Sequence, residues 1–222
     1  YIKKLIKKSP NLLSKIIPLA LGYTYLGKSE EYKDICKFYN GKLKLLKGPY
    51  SFGFNKSNKI LKLGFVGQDF RNHPIGFFLK DMIPELSKKI DINVFSTIDY
   101  QDEISEFIEK YSNWIRCHKL SDDFLAELIY KKKIDILVDT SGMTITNKLN
   151  IFKIKPVKTQ ISWAGWLAST HMKEIDYIVG DHFATPSIDD KNFSEKVYRV
   201  RDIWCTYSRS VFDDLRLKKN QN

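Results

Sequence analysis

From Ile60 onward, short apolar runs alternate with segments whose apolar residues recur at helical spacing. The runs ILKLGFVG (60–67), INVFSTI (92–98), WIRCH (114–118), IDILVD (134–139), KTQISW (158–163), IDYIVG (175–180) and KVYRV (196–200) have the length and composition of strands. Between the first two, Ile75, Phe78, Leu79, Met82 and Ile83 fall on one helical face, and Pro84 is expected to end or kink that helix. Ile104, Phe107, Ile108 and Tyr111 form a second face, with Asp102 and Glu103 in its first turn. Leu125, Leu128 and Ile129 form a third, with Ser121 as its cap, Asp122 and Asp123 at its positive end and Lys131 to Lys133 at its negative end. This alternation predicts a parallel sheet with helices on both faces, a Rossmann-like α/β domain over residues 60–212.

Upstream the pattern is helical only. Leu12, Leu13, Ile16, Ile17, Leu19, Ala20, Tyr23 and Leu26 supply one apolar face, and Gly27 is placed for a left-handed C-cap. Ser29 then caps a second helix through Tyr39, closed by Gly41. Residues 1–45 therefore read as a helical hairpin, similar in length, turn glycine and tyrosine positions to the end of a tetratricopeptide array. One such unit cannot bury its face without neighbours or a domain to pack on. Residues 46–59 have the Gly, Pro, Ser and Asn content of a linker, and 213–222 form a polar tail. The chain begins at Tyr1, so it is read as a piece of a longer polypeptide whose next domain lies beyond it.

The net charge of +11 changes this picture less than its size suggests. Residues 1–62 carry 14 lysines against 3 acids, while the rest of the chain balances 23 basic with 23 acidic side chains. Lys outnumbers Arg 31 to 6, which speaks against a backbone reader of nucleic acid. No nucleic-acid partner is expected. Cys36, Cys117 and Cys205 are odd in number and far apart, which fits neither a disulfide framework nor a zinc ribbon. The basic-apolar start is interrupted by Lys15 and Pro18 and is too short to span a bilayer. The expectation is a soluble cytoplasmic protein without a membrane partner.

In an open parallel sheet, ligands bind beyond the carboxyl ends of the strands. That rule selects three loops. The first, after residue 66, offers Gly67, Asp69, Asn72 and His73, with Pro74 suited to a first helical position. The second, DTSGMT, places Asp139 at the strand end, Gly142 at a tight turn and Thr144 as a cap. The third, WAGWLASTH, supplies Gly165, Ser169, Thr170 and His171. No metal-ligand spacing such as HxH or HExxH occurs among the histidines, and no Gly-x-Gly-x-x-Gly supports dinucleotide binding by this half. Trp163, Trp166 and Trp204 read as packing residues.

KLGFVGQDFRNHP, followed by IDILVDTSGMTITNKL and KPVKTQISWAGW, then IDYIVGDHFATP and EKVYRV…WCTY, resembles the protein O-glycosyltransferases of glycosyltransferase family 41. These include O-GlcNAc transferases, SPINDLY-type fucosyltransferases and many bacterial relatives. The resemblance runs from Lys62 to Tyr207 and implies the N-terminal half of a GT-B enzyme. Such an enzyme is inverting and metal-independent, and it needs no cofactor beyond a nucleotide-sugar substrate, UDP-GlcNAc or similar. It transfers GlcNAc or fucose to Ser or Thr of an acceptor protein or peptide. The donor would be bound jointly with a C-terminal half that is missing here.

On this resemblance His73 matches the family's His-Pro histidine at the sugar-diphosphate cleft, as a base or as a cation steadying the leaving group. Asp139 matches an acid of bacterial members, expected to orient the imidazole or contact the sugar. Asn72, Gly142, Thr144 and Gly165 are the accompanying substrate-binding positions. Two departures stand out: Met143 replaces a His or Tyr, and Gly165-Trp166-Leu167-Ala168 replaces Gly-Tyr-Pro-Gly. They imply a shifted donor or acceptor preference. The alternative reading is a degenerate relative that binds proteins without transferring sugar.

Overall fold

Along β1 (Lys62–Gly67), Phe65 and Val66 are both buried but join different apolar clusters, and Leu137 and Val138 of β4 (Ile136–Asp139) divide the same way. Side chains alternate across a strand, so two clusters on one strand mean a sheet covered on both faces. The computed structural model describes residues 30–43, 50–53, 60–144 and 146–208. Its strands form a single seven-stranded sheet in the order β3-β2-β1-β4-β5-β6-β7, with every pair parallel. The others are β2 (Asp91–Ser96), β3 (Asn113–Arg116), β5 (Thr159–Ser162), β6 (Tyr177–Gly180) and β7 (Lys196–Arg199).

One face is covered by α2 (Pro74–Ser87) and α3 (Glu103–Glu109), which bury Leu79, Ile83, Ile104 and Ile108. The other is covered by α1 (Glu30–Lys42), α4 (Asp122–Lys131) and α5 (Leu149–Ile154), through Tyr32, Leu125, Ile129 and Phe152. The helix expected behind Ser121 has that cap, its hydroxyl accepting the Phe124 N–H at 3.3 Å. Pro84 does not end α2. It sits within the last turn, where its missing N–H removes one ladder bond near an end that frays in any case. Gly41 does not close α1, which runs on through it to Lys42. Sequence periodicity missed α5, whose six residues bury Leu149, Ile151, Phe152 and Ile154 and leave only Asn150 and Lys153 on the polar side, too short a stretch to set a period.

α1 is part of the core. Tyr32 and Cys36 are fully buried in the cluster beneath β1 and β4, and Tyr39 Oη donates to Asn147 Oδ1 at 3.1 Å. Of the linker stretch, Tyr50 stacks on Tyr130 at 4.4 Å between ring centres, and Tyr130 Oη donates to Ser51 O. The first helix of the expected hairpin and the polar tail lie outside the described residues. Trp163 and Trp204 pack on the α2 face, with Trp163 Nε1 donating to Trp204 O, whereas Trp166 is buried on the opposite face. Between Phe78, Met82, Trp163 and Trp204 lies an apolar cavity of ≈ 400 Å³ that holds no ionisable lining group except Cys205. No helix among the described residues is long and apolar enough to cross a membrane.

Candidate functional site

Strand order reverses between β1 and β4: the chain moves from β1 outward to β2 and β3, then returns to β4 on the other side. Loops leaving β1 and β4 therefore diverge and open a crevice at their carboxyl ends. His73 and Asp139, chosen from sequence, flank that point, since Val66 pairs with Asp139 in the central register.

His73 is the N-cap of α2, in extended backbone geometry, with Pro74 following at the first helical position. Its Nδ1 accepts the Ile75 N–H at 3.3 Å. With Nδ1 occupied as an acceptor, the neutral ring carries its proton on Nε2 and presents a donor. The positive end of a 14-residue helix lies directly behind that ring.

The loop before His73 is fixed from a distance. Asn72 is exposed, and its backbone N–H donates to Asp102 Oδ2 at 2.6 Å. Asp102 Oδ1 at the same time accepts from Ile104 N, Ser105 N and Ser105 Oγ. The expectation put Asp102 in the first turn of α3. It is instead the N-cap, in a capping box with Ser105. Partial burial pushes the Asp102 pKa up, but the bonds from Asn72, Ser105 and Ile104 outweigh it and hold the carboxyl below its ordinary range. Asp102→Ala should cost about 1–2 kcal/mol in denaturant melts through loss of the cap. An unchanged midpoint would mean that the cap and the tie to Asn72 contribute nothing.

Asp139 is buried, with Oδ1 accepting from Ser141 N at 3.0 Å and Oδ2 from Gly142 N at 2.8 Å. No hydrogen bond joins it to His73 among the described residues. The carboxylate closes the turn that follows β4, in which Gly142 adopts φ +53. Thr144 is half-buried and does not cap α5. Its carbonyl accepts from Asn147 N and Nδ2, and Asn147 Oδ1 takes the Leu149 N–H. Met143 points into the core at 1% exposure, so it does not stand in for a polar ligand group.

Desolvation raises the Asp139 pKa to about 6, against the two backbone bonds that lower it and with Glu195 nearby adding to the rise. A raised acid binds its proton more tightly in the folded state. Its stabilising contribution is complete below the unfolded value of 3.8 and is lost as pH rises through about 6. Relative to Asp139→Asn, the wild type should lose about 2 kcal/mol between pH 4 and pH 6.5. Thermal melts of both proteins across that range check it, and a constant gap would refute it.

The third loop interlocks with the second. A Cβ on Gly165 would sit 1.8 Å from the Thr140 carbonyl oxygen, so only glycine allows this approach. One on Gly142 would lie 2.1 Å from Trp166 Cβ. Thr140 Oγ1 donates to Val66 O at 3.0 Å, tying this pair back to β1. Beyond Trp166 the loop is held by Glu195, which is 4% exposed and accepts from Ser169 Oγ, Thr170 N and Thr170 Oγ1. Sequence reading gave Tyr32, Asp102 and Glu195 no part in this region. No group of three His, Cys, Asp or Glu side chains suited to a metal ion occurs among the described residues.

The fold is a doubly wound α/β domain with a capped helix N-terminus and a glycine-dependent turn at its switch point, the place where ligands bind in open parallel sheets. The sequence model of glycosyl transferase family 41 matches residues 31–220, and the chain belongs to that family. The probable UDP-N-acetylglucosamine–peptide N-acetylglucosaminyltransferase SPINDLY of Hordeum vulgare is 24% identical over 203 residues, which cover 86% of this chain and 21% of that protein. The probable enzyme SEC of Arabidopsis thaliana is 27% identical over 146 residues, 64% of this chain and 15% of the relative. Among solved structures, a mutant of the Thermobaculum terrenum O-GlcNAc transferase superposes with a TM-score of 0.83 at 23% identity, over 92% of this chain and 40% of the other. The chain thus spans about a fifth of the length of the SPINDLY relatives it matches.

Proposed function

We propose that this chain is the N-terminal catalytic portion of an inverting protein O-glycosyltransferase, moving a GlcNAc-like sugar or fucose from a nucleotide donor to Ser or Thr. The observation that carries the reading is His73, which caps a helix at the switch point of a family 41 sheet. In such a transfer the acceptor hydroxyl oxygen bonds to the anomeric carbon as the bond to the β-phosphate oxygen breaks. The electron pair leaves with the nucleoside diphosphate, and the hydroxyl proton goes to a base.

The tautomer fixed by Ile75 N gives His73 the donor's part, an Nε2–H directed to the phosphate oxygen where charge develops. The N-terminal end of α2 adds to that stabilisation. Asp139 holds the turn Ser141–Gly142 that forms the facing lip, while Asn72, Thr144 and Gly165 complete the wall. A second half, from a longer polypeptide, closes the cleft and supplies the remaining nucleotide contacts.

The test is incubation of the full-length protein with UDP-GlcNAc and, separately, GDP-fucose, together with Ser/Thr peptides, read by peptide mass. A folded protein that transfers from neither donor, nor from other nucleotide sugars, would sink the reading.

A further inference from the structure

α1 precedes the sheet by some twenty residues, yet its one buried phenol reaches the candidate site. Tyr32 is 0% exposed, and its hydroxyl accepts from Trp166 Nε1 at 2.8 Å while donating to Ser169 O at 2.7 Å. Both partners belong to the loop after β5. Trp166 in turn presses on Gly142, where a Cβ would come within 2.1 Å of the Trp166 Cβ, and Gly142 N donates to Asp139. Further along α1, Asn40 Nδ2 donates to the carbonyls of Thr170 and His171 and fixes the end of the same loop.

A continuous line of contacts therefore runs from the helix ahead of the sheet, through one indole, to the turn at the switch point. We infer that Tyr32 is a positioning residue of the transferase site, acting through Trp166 to set the Asp139–Thr144 turn. It touches no reacting group itself. Loss of the hydroxyl removes the acceptor that holds the Trp166 N–H at 2.8 Å, which favours displacement of the indole. Gly142 has no side chain to resist that movement. The segment ahead of the sheet thereby becomes part of the site's construction.

The inference rests on the proposed transferase activity for its catalytic consequence, and on geometry alone for the coupling. Tyr32→Phe keeps the ring and removes the node. In this variant, amide exchange at Ser141 and Gly142 should rise at least about tenfold, with β1 and β2 amides unchanged. Donor kcat/KM should fall at least about fivefold, and Trp166→Phe, which removes the donor itself, should add less to Tyr32→Phe than it costs alone. Unchanged exchange at Ser141 and Gly142, or a uniform rise over the whole sheet, would overturn the coupling. Selective exchange with wild-type kcat/KM would overturn the catalytic role. If the wild type transfers no sugar, the functional reading fails, and exchange alone decides whether Tyr32 sets the turn.

Discussion

His73→Ala in the full-length protein is expected to lower sugar transfer to a peptide at least about tenfold, a floor below the ~100-fold typical of losing one hydrogen-bond donor to developing charge. The same change removes a helix cap worth about 1 kcal/mol, so a fall in activity alone would be ambiguous. His73→Asn separates the two roles. Asparagine is a strong N-cap and should restore stability to within a few tenths of a kcal/mol, yet its shorter side chain does not carry an N–H to where Nε2 stands. Transfer should stay depressed in both variants while the thermal midpoint recovers only in Asn. If His73→Asn transfers like the wild type, the histidine is a cap and nothing more.

Gly165→Val should be the most damaging single change to folding at the site. Its Cβ would fall 1.8 Å from Thr140 O, well inside the closest contact that real side chains make. Thr140 cannot retreat freely, because its N–H and its Oγ1 both donate to Val66 O. The loop carrying Gly165 is held in turn by Glu195. Overpacking against the Thr140–Ser141 backbone should cost about 3 kcal/mol or more, read as a shift in denaturant midpoint or as loss of soluble protein. Even Gly165→Ala places the same Cβ. A midpoint equal to wild type for Ala would show that the two loops do not interlock.

The strands were legible because a parallel sheet covered on both faces leaves largely apolar runs, and each expected run overlaps one observed strand, β2 and β3 each starting one residue earlier. ILKLGFVG and IDILVD announce the two central strands at almost their full extent. α5 was illegible because its six residues make fewer than two helical turns, too few repeats to set a period. At the site, the position of His73 could be read from a strand end followed by Pro74. The tautomer could not, since it depends on a backbone N–H two residues on. Asp139 looked the same from sequence whether it faced a ligand or closed its own turn, and only its two backbone bonds distinguish these. Tyr32 and Ser169 stand 137 positions apart, and no local pattern connects them.

The central register also bears on how the protein assembles. Pairing of β1 with β4, Val66 against Asp139, joins residues farther apart in sequence than any other pairing in the sheet. Each wing, β1 to β3 and β4 to β7, can zip through shorter loops, so the largest closure entropy of the sheet falls on the seam between them. Site and seam coincide. The crevice comes into being only when the wings meet, and so do both apolar clusters, since each draws residues from β1 and from β4.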